Sequence, residues 1–497
     1  MQATPPDMLP QATALMAAKG YNYIYNGAWQ FATASDRNAW HSSWKNFMPR
    51  VGINDKLDDR SVLRFAYARF MMPTSSVRDT LGDFVTQYSG YAQTTTTLAV
   101  NNGAPLQTLA NPFPANNPVI EPYAQAYGRY TNLGGTVSLD QYELRPQIND
   151  RFSVSYQREL WWKTIVDLNY FFNWGSRVPY SVDLNQMDPA FRYELKTQIN
   201  NSVNNPFFGY LTPATFPGAL RNNRTTTLSQ LLKPYPQYTS IAQTNTADGR
   251  HMKTHAWDLR VHRPFTNGVS VLVAYAFSRD RIQNWFDDTA QYEIMKTNGA
   301  SGWSWEPANP TLPEHRVTSA ITWQIPVGRN RALASDMPVL LDAVIGGWQL
   351  STAARLYSGR PLLFNSCGFT TTTAPACGGP NYTVDGNPTL SNPTNGRWFD
   401  TSMFHVKSDV NTPRTAPVFF DGLNGPGATF VDMTLTKAFM LPRGTRLEAR
   451  FEAYNVFNYL VWDDPDVNIS SANFGKVTRK RTDGSGREVQ IGLRFVF

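Results

Sequence analysis

The sequence predicts an all-β fold, an antiparallel transmembrane β-barrel, and three observations support that prediction. Aromatic residues make up 13% of the 497-residue chain and charged residues only 17%, where about 25% charged residues is usual. The longest apolar stretches, such as 269–277, reach about nine residues, far short of the roughly 20 that a membrane helix needs. Short segments of alternating apolar and polar residues recur along the chain. Together these features are typical of a barrel with a watery lumen, polar loops and aromatic girdles.

The amino-terminal part of the chain predicts an irregular segment over residues 1–20, followed by the first strands. Residues 1–20 lack the basic start, the apolar run and the cleavage site of a secretory signal. The aromatic-rich segment Tyr21–Thr33 predicts a strand, and Met48–Asp55 with Ser61–Phe70 predicts a hairpin, because their side chains alternate in polarity. Residues 73–140 have little periodicity, which predicts a long surface loop.

Two further hairpins are predicted in the middle of the chain. The first pairs Arg151–Leu160 with Lys163–Trp174, and the second pairs His255–Pro264 with Gly268–Ser278. The polar and Pro-containing residues 175–250 between them predict a second long loop. One face of the last strand carries five apolar residues, namely Val269, Val271, Val273, Tyr275 and Phe277.

Five strands are predicted in the carboxy-terminal part: His315–Pro326, Gly346–Ser358, Thr429–Ala438, Thr445–Phe457 and Glu488–Phe497. In the fourth of these, apolar residues alternate with Arg446, Glu448, Arg450 and Glu452. Such a row of charges is costly inside a soluble sandwich, but it is natural where one face of a sheet meets lipid and the other a watery lumen. The alternative is the solvated face of a soluble antiparallel sheet.

The lengths of the connections favour the barrel. Turns such as 265–267 and 439–444 are short, whereas the intervening connections run from about 30 to 75 residues. Outer-membrane barrels have short turns at one rim and long loops at the other. Counting the alternating segments predicts about 12 strands.

The last strand ends on an aromatic carboxyl terminus. One side of its period-2 pattern consists of Val489, Ile491, Leu493, Phe495 and Phe497. Such a strand at the edge of a sheet is an aggregation hazard unless the sheet closes on itself. Taken alone, this stretch fits either a barrel-closing strand or the terminal strand of a soluble sandwich.

The sequence predicts no enzyme, no cofactor and no nucleic-acid partner. It contains no Gly-x-Ser-x-Gly elbow, phosphate-binding loop or dinucleotide fingerprint. The 45 Lys and Arg residues that contribute to the net charge of +7 are dispersed, unlike the basic patch of a nucleic-acid site. Cys367 and Cys377 could close a small loop disulfide in an oxidising compartment. A metal site is disfavoured because no second Cys or His pair lies nearby.

Several segments, taken in order, resemble one protein family. They are PRVGINDKLDDRSVLRFAYARF, FSVSYQREL, LLKPYPQYTSI, EHRVTSAITWQIPVGR, IGGWQLSTAARLYSGRPL, WFDTSMF and RLEARFEAYNVFN. Over residues 45–497 the chain resembles the barrel portion of TonB-dependent outer-membrane receptors, particularly the Oar-like branch with a carboxypeptidase-regulatory-like amino-terminal domain. The resemblance implies a barrel of roughly 22 strands with a plug in its lumen. We recognise no plug, regulatory-like domain or TonB-contacting segment in residues 1–497, so we expect an incomplete barrel, the carboxy-terminal part of a longer receptor.

The resemblance also implies the cell outer membrane as the location, reached as part of a longer precursor, and recognition or uptake of an unidentified extracellular ligand. The implied partners are outer-membrane lipid, the outer-membrane assembly machinery, and TonB through the missing amino-terminal region. In such barrels a terminal aromatic residue after alternating apolar residues is the assembly signal, matched here by Val489, Ile491, Leu493, Phe495 and Phe497. Two alternatives remain: a structural or adhesive surface protein that transports nothing, and a secreted β-sandwich that binds carbohydrate.

Overall fold

The chain is folded around one large sheet, seen in a computed structural model that describes residues 5–37, 44–73, 108–115, 118–284, 304–364, 382–406, 419–441, 445–482 and 484–497. The strands are β1 (Arg50–Asp58), β2 (Ser61–Met71), β3 (Thr136–Asp140), β4 (Ile148–Glu159), β5 (Ile165–Asp183), β6 (Ser202–Asn204), β7 (Thr225–Thr227), β8 (Ser240–Thr266), β9 (Val269–Asn284), β10 (Ser304–Pro307), β11 (His315–Gln324), β12 (Trp348–Tyr357), β13 (Tyr382–Val384), β14 (Thr389–Thr394), β15 (Arg397–Phe399), β16 (Phe404–Val406), β17 (Ala428–Met440), β18 (Arg446–Tyr454) and β19 (Glu488–Val496). The α-helices are α1 (Pro10–Ala18), α2 (Pro189–Leu195), α3 (Leu228–Leu231) and α4 (Val339–Ile345). Short 3-10 helices lie at Gly128–Tyr130, Trp161–Lys163, Lys196–Asn200, Ala219–Arg221 and Thr401–Met403. Within the described ranges, no helix has the length and apolar character needed to cross a membrane.

The sheet is an up-and-down array. Of its 13 strands, β3 and β10 lie off the main path, and the remaining 11 (13 minus 2) follow the order β1-β2-β4-β5-β8-β9-β11-β12-β17-β18-β19. All neighbours on this path pair antiparallel, and β3 alone pairs parallel, with the start of β8. The predicted antiparallel all-β fold is confirmed.

The register separates an apolar face from a polar face. One row across five strands runs Trp323, Leu350, Leu435, Phe451 and Ile491. The next row, one residue along each strand, runs Gln324, Gln349, Thr436, Arg450 and Gly492. Because side chains alternate between the faces of a sheet, these two rows lie on opposite sides of it, and rows two residues apart share a side.

The predicted charged row of β18 lies on the polar face. Arg446 Nε and Glu448 Oε1 are 3.0 Å apart, and Arg450 Nη2 lies 3.7 Å from Glu448 Oε2. On the neighbouring strand, the Gln490 amide donates to a carboxylate oxygen of Glu452. These contacts pair the charged groups of the row with one another and with Gln490 on the face opposite the apolar rows.

The connections lie at two opposite ends of the strands, which form two rims of the sheet. At the turn rim β1–β2, β8–β9 and β17–β18 are joined by residues 59–60, 267–268 and 441–445. At the opposite loop rim β2–β4 and β12–β17 are joined through residues 72–147 and 358–427. The predicted alternation of short turns with long loops is confirmed, except that the turn-rim connection between β11 and β12 spans residues 325–347.

The amino-terminal prediction of an irregular segment followed by a strand is wrong. Residues 10–18 form α1, which begins with Pro10 in the first turn and is followed by Gly20 in a left-handed conformation, φ 74°. Pro and Gly at these places are typical helix boundaries, and the Ala-rich interior favours a helix. The helix buries Ala12 and Met16.

Tyr21–Thr33 is not a strand, because its described hydrogen bonds lead to a loop rather than to a sheet neighbour. The Ile24 amide donates to the Pro234 carbonyl at 2.8 Å, and the Gln237 side chain donates to the Ile24 carbonyl at 3.0 Å. Tyr23 Oη donates to the Leu231 carbonyl at 2.9 Å. The first strand of the sheet is therefore β1.

Three strands extend farther than predicted. β5, β8 and β9 have 19, 27 and 16 residues, and Tyr180 to Asp183 still pair with Asn245 to Ala242. The predicted loop 175–250 therefore contains strand. In these extensions, such as residues 175–183 and 240–250, apolar and polar residues do not alternate regularly. Backbone pairing therefore continues without the alternation that marks a strand in sequence.

Two hydrophobic cores lie in the long connections. The amino-proximal lobe surrounds a core of Ala12, Met16, Leu133, Val137, Met187, Phe191, Ile199, Phe207, Phe216, Leu220, Leu228, Leu231, Leu232, Tyr238 and Ile241. The carboxy-proximal lobe surrounds Leu362, Phe364, Tyr382, Phe399, Phe404, Phe420 and Leu423. The long connections at the loop rim thus contain folded structure.

Candidate functional site

The apolar face carries aromatic rings toward both rims. On the loop side, Tyr67, Phe152, Phe172 and His255 stand in one row of the register. Successive ring centroids in that row are 4.9, 6.2 and 4.9 Å apart. On the turn side, the exposed aromatic residues include Trp161, Trp162, Phe265, Trp323 and Phe495. Two aromatic bands that flank an aliphatic zone are the pattern of a membrane-spanning sheet.

The five predicted assembly-signal residues share one face of the edge strand β19 and the residue after it. Val489, Ile491, Leu493 and Phe495 pair across to apolar or small residues of β18. The rings of Phe495 and Phe497 are stacked with centroids 6.2 Å apart. All five side chains are exposed, so they are accessible to another protein. Their role in assembly stays a prediction.

A protein-family model described as "Outer membrane beta barrel domain" matches residues 5–490. The chain belongs to this family. Its strands therefore span the outer membrane, with the apolar face toward lipid. Because such barrels have short periplasmic turns and longer extracellular loops, the turn rim is periplasmic and the loop rim extracellular. No curated protein matches the chain.

Solved structures of longer proteins are similar to this barrel domain at low identity. The siderophore receptor PirA from Acinetobacter baumannii is 12% identical with a TM-score of 0.36, over 90% of this chain and 40% of that one. The pyoverdine outer membrane receptor FpvA from Pseudomonas aeruginosa PAO1 is 11% identical with a TM-score of 0.35, over 90% and 36%. The FrpB iron transporter from Neisseria meningitidis (F3-3 variant) is 10% identical with a TM-score of 0.33, over 90% and 39%. The chain thus matches about two fifths or less of each of these longer chains.

Three extracellular connections of the barrel domain meet in a cleft of about 220 Å³, which we call the loop-rim cleft. Pro310 comes from the connection between β9 and β11, Arg360 and Leu363 from that between β12 and β17, and Asp464 and Val467 from that between β18 and β19. The cleft therefore offers one ion pair on an otherwise largely apolar surface.

The ion pair of the loop-rim cleft is positioned by close backbone packing. Arg360 Nε donates to Asp464 Oδ2 at 2.8 Å, and both side chains remain partly exposed. The Gly425 amide donates to the Arg360 carbonyl at 2.8 Å. A Cβ on Gly425 would lie 2.1 Å from Asp464 Oδ1, so only glycine lets the carboxylate approach this closely. Local sequence patterns do not indicate this pairing, because its members are about 100 residues apart.

A second charged cluster beside the cleft ties β9 to the extracellular connections. Arg279 Nε donates to Glu314 Oε1 at 3.1 Å, and Arg279 Nη2 donates to Asp421 Oδ1 at 3.0 Å. Arg281 Nη2 lies 3.4 Å from the same Glu314 oxygen. These pairs hold the connections of the loop rim against the end of a long strand.

Cys367 and Cys377, predicted to form a disulfide, lie outside the described residues. In the described ranges, no group of three or more His, Cys, Asp or Glu side chains could hold a metal ion. In the same ranges, His255 Nδ1 lies 2.9 Å from the Tyr170 hydroxyl.

Proposed function

We propose that this outer membrane barrel domain is the ligand-recognising barrel of a TonB-dependent receptor of the Oar-like branch. The observation that supports it best is the convergence of three extracellular connections on the loop-rim cleft above a membrane-spanning sheet. The ordered sequence motifs of residues 45–497 support the same family branch. In this proposal the domain is a receptor and not an enzyme, and its own side chains bind and orient a ligand.

We further propose that the barrel closes through strands outside the described residues. β1 and β19 are the two edges of the main path. An odd number of strands lies between them, and neighbouring strands are antiparallel, so both run from the loop rim to the turn rim. Pairing β1 directly with β19 would be parallel, whereas bacterial outer-membrane barrels have an even number of antiparallel strands. At least one more strand would restore antiparallel closure. A longer parent chain that also supplies the plug and the TonB contact is consistent with this geometry.

Two smaller assignments belong to the same proposal. The alternating terminal residues Val489, Ile491, Leu493, Phe495 and Phe497 are recognised by the outer-membrane assembly machinery. Cys367 and Cys377 form a disulfide in an extracellular connection, since an oxidising compartment allows it. Mass spectrometry of the non-reduced protein would detect the linked peptides, and free alkylated thiols would contradict the disulfide.

Uptake measurements in whole cells test the receptor proposal. Cells with and without the parent gene are offered ferric siderophores, oligosaccharides and short peptides, each with and without a protonophore. We expect one class to accumulate only in energised cells that carry the gene. Binding without energised uptake would contradict the receptor proposal and favour a structural or adhesive surface protein.

A pair of arginine variants tests the cleft itself. We expect Arg360→Ala to weaken binding of the retained ligand at least tenfold, because it removes the cation of the cleft. Arg479→Ala is the matched control, since Arg479 pairs with Asp463 at 3.6 Å outside the cleft lining. Equal binding by both variants and the unchanged protein would show that the ligand contacts another surface.

A further inference from the structure

The turn rim contains one helix with its apolar side chains exposed. α4 lies in the connection 325–347 between β11 and β12, whereas the neighbouring turn 267–268 is short. Five apolar residues of α4 each expose between 45% and 85% of their surface, namely Val339, Leu340, Leu341, Val344 and Ile345. A surface helix of a water-soluble protein has the opposite arrangement, with its apolar stripe facing the core.

The charged residue of α4 faces the protein. Asp342 Oδ1 accepts a hydrogen bond from the Arg329 amide at 2.7 Å, and the Asp342 carbonyl accepts one from the Gly346 amide at 2.9 Å. A Cβ on Gly346 would lie 2.0 Å from Asp342 Oδ1, so the carboxylate packs directly on the backbone. The helix therefore turns its polar side inward and its apolar side outward.

A buried lysine fixes the carboxyl end of α4 to the sheet. Lys437 is 3% exposed, and its Nζ donates to the carbonyls of Gly346 and, at 3.2 Å, Asp342. The same ammonium lies 5.4 Å from the ring centroid of Trp348 and 5.3 Å from that of Phe439. A cation at a helix carboxyl end is favoured by the helix dipole. The contacts satisfy a charge that would otherwise face lipid.

The position of Lys437 shows on which side of the sheet α4 lies. Lys437 stands in the row Trp348, Lys437, Ala449 and Leu493, which belongs to the apolar face. Trp348 Nε1 also donates to the Val344 carbonyl at 2.9 Å. The carboxyl end of α4 therefore lies against the lipid side of the barrel wall, close to its periplasmic end.

We infer that α4 is a membrane anchor whose exposed side chains contact phospholipid acyl chains of the periplasmic leaflet. Its apolar surface is continuous with the lipid-facing rows of the sheet, and it lies where those rows end. Arg329 and Arg331, both exposed, precede the helix and are placed to meet anionic headgroups, as in interfacial helices. A periplasmic protein would have to approach through the lipid that already covers this side of the wall.

Fluorescence quenching in vesicles tests this anchor. The whole outer-membrane protein, with both cysteines replaced by serine, is labelled with a bimane at Leu340→Cys, Leu356→Cys or Asp336→Cys. It is reconstituted into phosphatidylethanolamine and phosphatidylglycerol vesicles with doxyl-labelled lipid. Leu356 on the apolar face of β12 is the membrane control, and the exposed Asp336 of the same connection is the aqueous control.

We expect doxyl lipid to lower the fluorescence at Leu340 and Leu356 at least twofold, and iodide to quench both at least threefold less than at Asp336. Iodide quenching at Leu340 equal to that at Asp336, with Leu356 still quenched by lipid, would overturn the inference. If Leu340 is protected from iodide only at a high ratio of protein to lipid, α4 contacts a second copy of the protein instead of lipid, and the inference is overturned.

A lysine variant tests how the helix is held. We expect Lys437→Met to reduce doxyl quenching at Leu340 at least twofold while quenching at Leu356 is unchanged, because the helix end loses its contact with the wall. Lys476→Met is the control, since that side chain lies at the loop rim and donates to the Ala472 carbonyl. Unchanged quenching at Leu340 in the Lys437 variant would show that the lysine does not hold α4.

Discussion

Two adjacent alanines of β12 provide a direct test of the membrane orientation. Ala354 pairs with Ser319 and Val431 in an apolar row, whereas Ala353 pairs with Ala320 and Asp432 on the polar face. The substitutions Ala354→Arg and Ala353→Arg add the same side chain one residue apart. Only the first places a guanidinium in lipid.

The expected difference follows from the depth of Ala354. It lies six residues beyond Trp348, the first residue of β12, which is about 20 Å along a strand at roughly 3.3 Å per residue. A strand tilt of about 40° reduces this to about 15 Å, half of a hydrocarbon core of about 30 Å. Arginine on the lipid face at this depth costs about 2–4 kcal/mol, or about 1.5 to 3 orders of magnitude in the folding equilibrium. At Ala353 we expect less than about 1 kcal/mol, since Asp432 lies opposite and the lumen is wet.

Urea titration of the whole protein in phospholipid vesicles measures both free energies of unfolding, with heat-modifiable mobility in gels as the indicator of the folded barrel. The prediction concerns the difference between two variants, so errors common to both cancel. Equal destabilisation by both substitutions, or a larger effect at Ala353, would refute the assignment of the lipid face.

Three further predictions concern other parts of the chain. Deletion of Phe497 should reduce outer-membrane accumulation, measured by fractionation, while Gln490→Ala on the opposite face should not. Met16→Ala should destabilise the docking of α1 by about 2–5 kcal/mol, seen as faster tryptic cleavage of the segment, with exposed Thr13→Ala as the control. Hydrogen bonds from Ser402, together with a nearby arginine, hold the pKa of Asp400 below its usual range. The stability from Asp400 is thus present above its unfolded pKa and is lost as pH falls through the lower folded value. We expect Asp400→Asn to weaken this pH dependence in limited proteolysis between pH 5 and 2.

The membrane-spanning part of the fold could be predicted because each strand there separates lipid from water. Alternation in segments such as Thr445–Phe457 is a direct consequence of that boundary, and β18 lies within the predicted segment. The two rims could also be predicted, since the lengths of the short turns and long loops can be counted in the sequence. Local periodicity predicts neither how the edge strands pair nor the order of the strands at the loop rim.

The lobes at the loop rim could not be predicted, because local periodicity does not indicate contacts between distant residues. Tyr21–Thr33 is aromatic because it packs against the amino-proximal lobe, yet aromatic content alone fits a strand equally well. The partners of this segment, such as Gln237, are about 200 residues away. The Arg360–Asp464 pair also depends on two connections that meet only after the sheet has formed. Contacts of this kind need the tertiary structure.

The open edges of the described sheet determine how this chain behaves when expressed by itself. β1 and β19 have nine residues each, and about half of the backbone groups of an edge strand point away from its single neighbour. In lipid each unsatisfied group costs several kcal/mol, so the two edges together cost tens of kcal/mol. That exceeds the roughly 5–15 kcal/mol by which a folded protein is stable. If the barrel closes through further strands, as proposed above, residues 1–497 expressed alone with an added signal sequence should be degraded or aggregate, and coexpression with the proposed closing strands should rescue a heat-modifiable barrel. A stable detergent-soluble monomer with a defined channel conductance would instead show that the chain closes its own sheet, which the parallel course of β1 and β19 makes unfavourable.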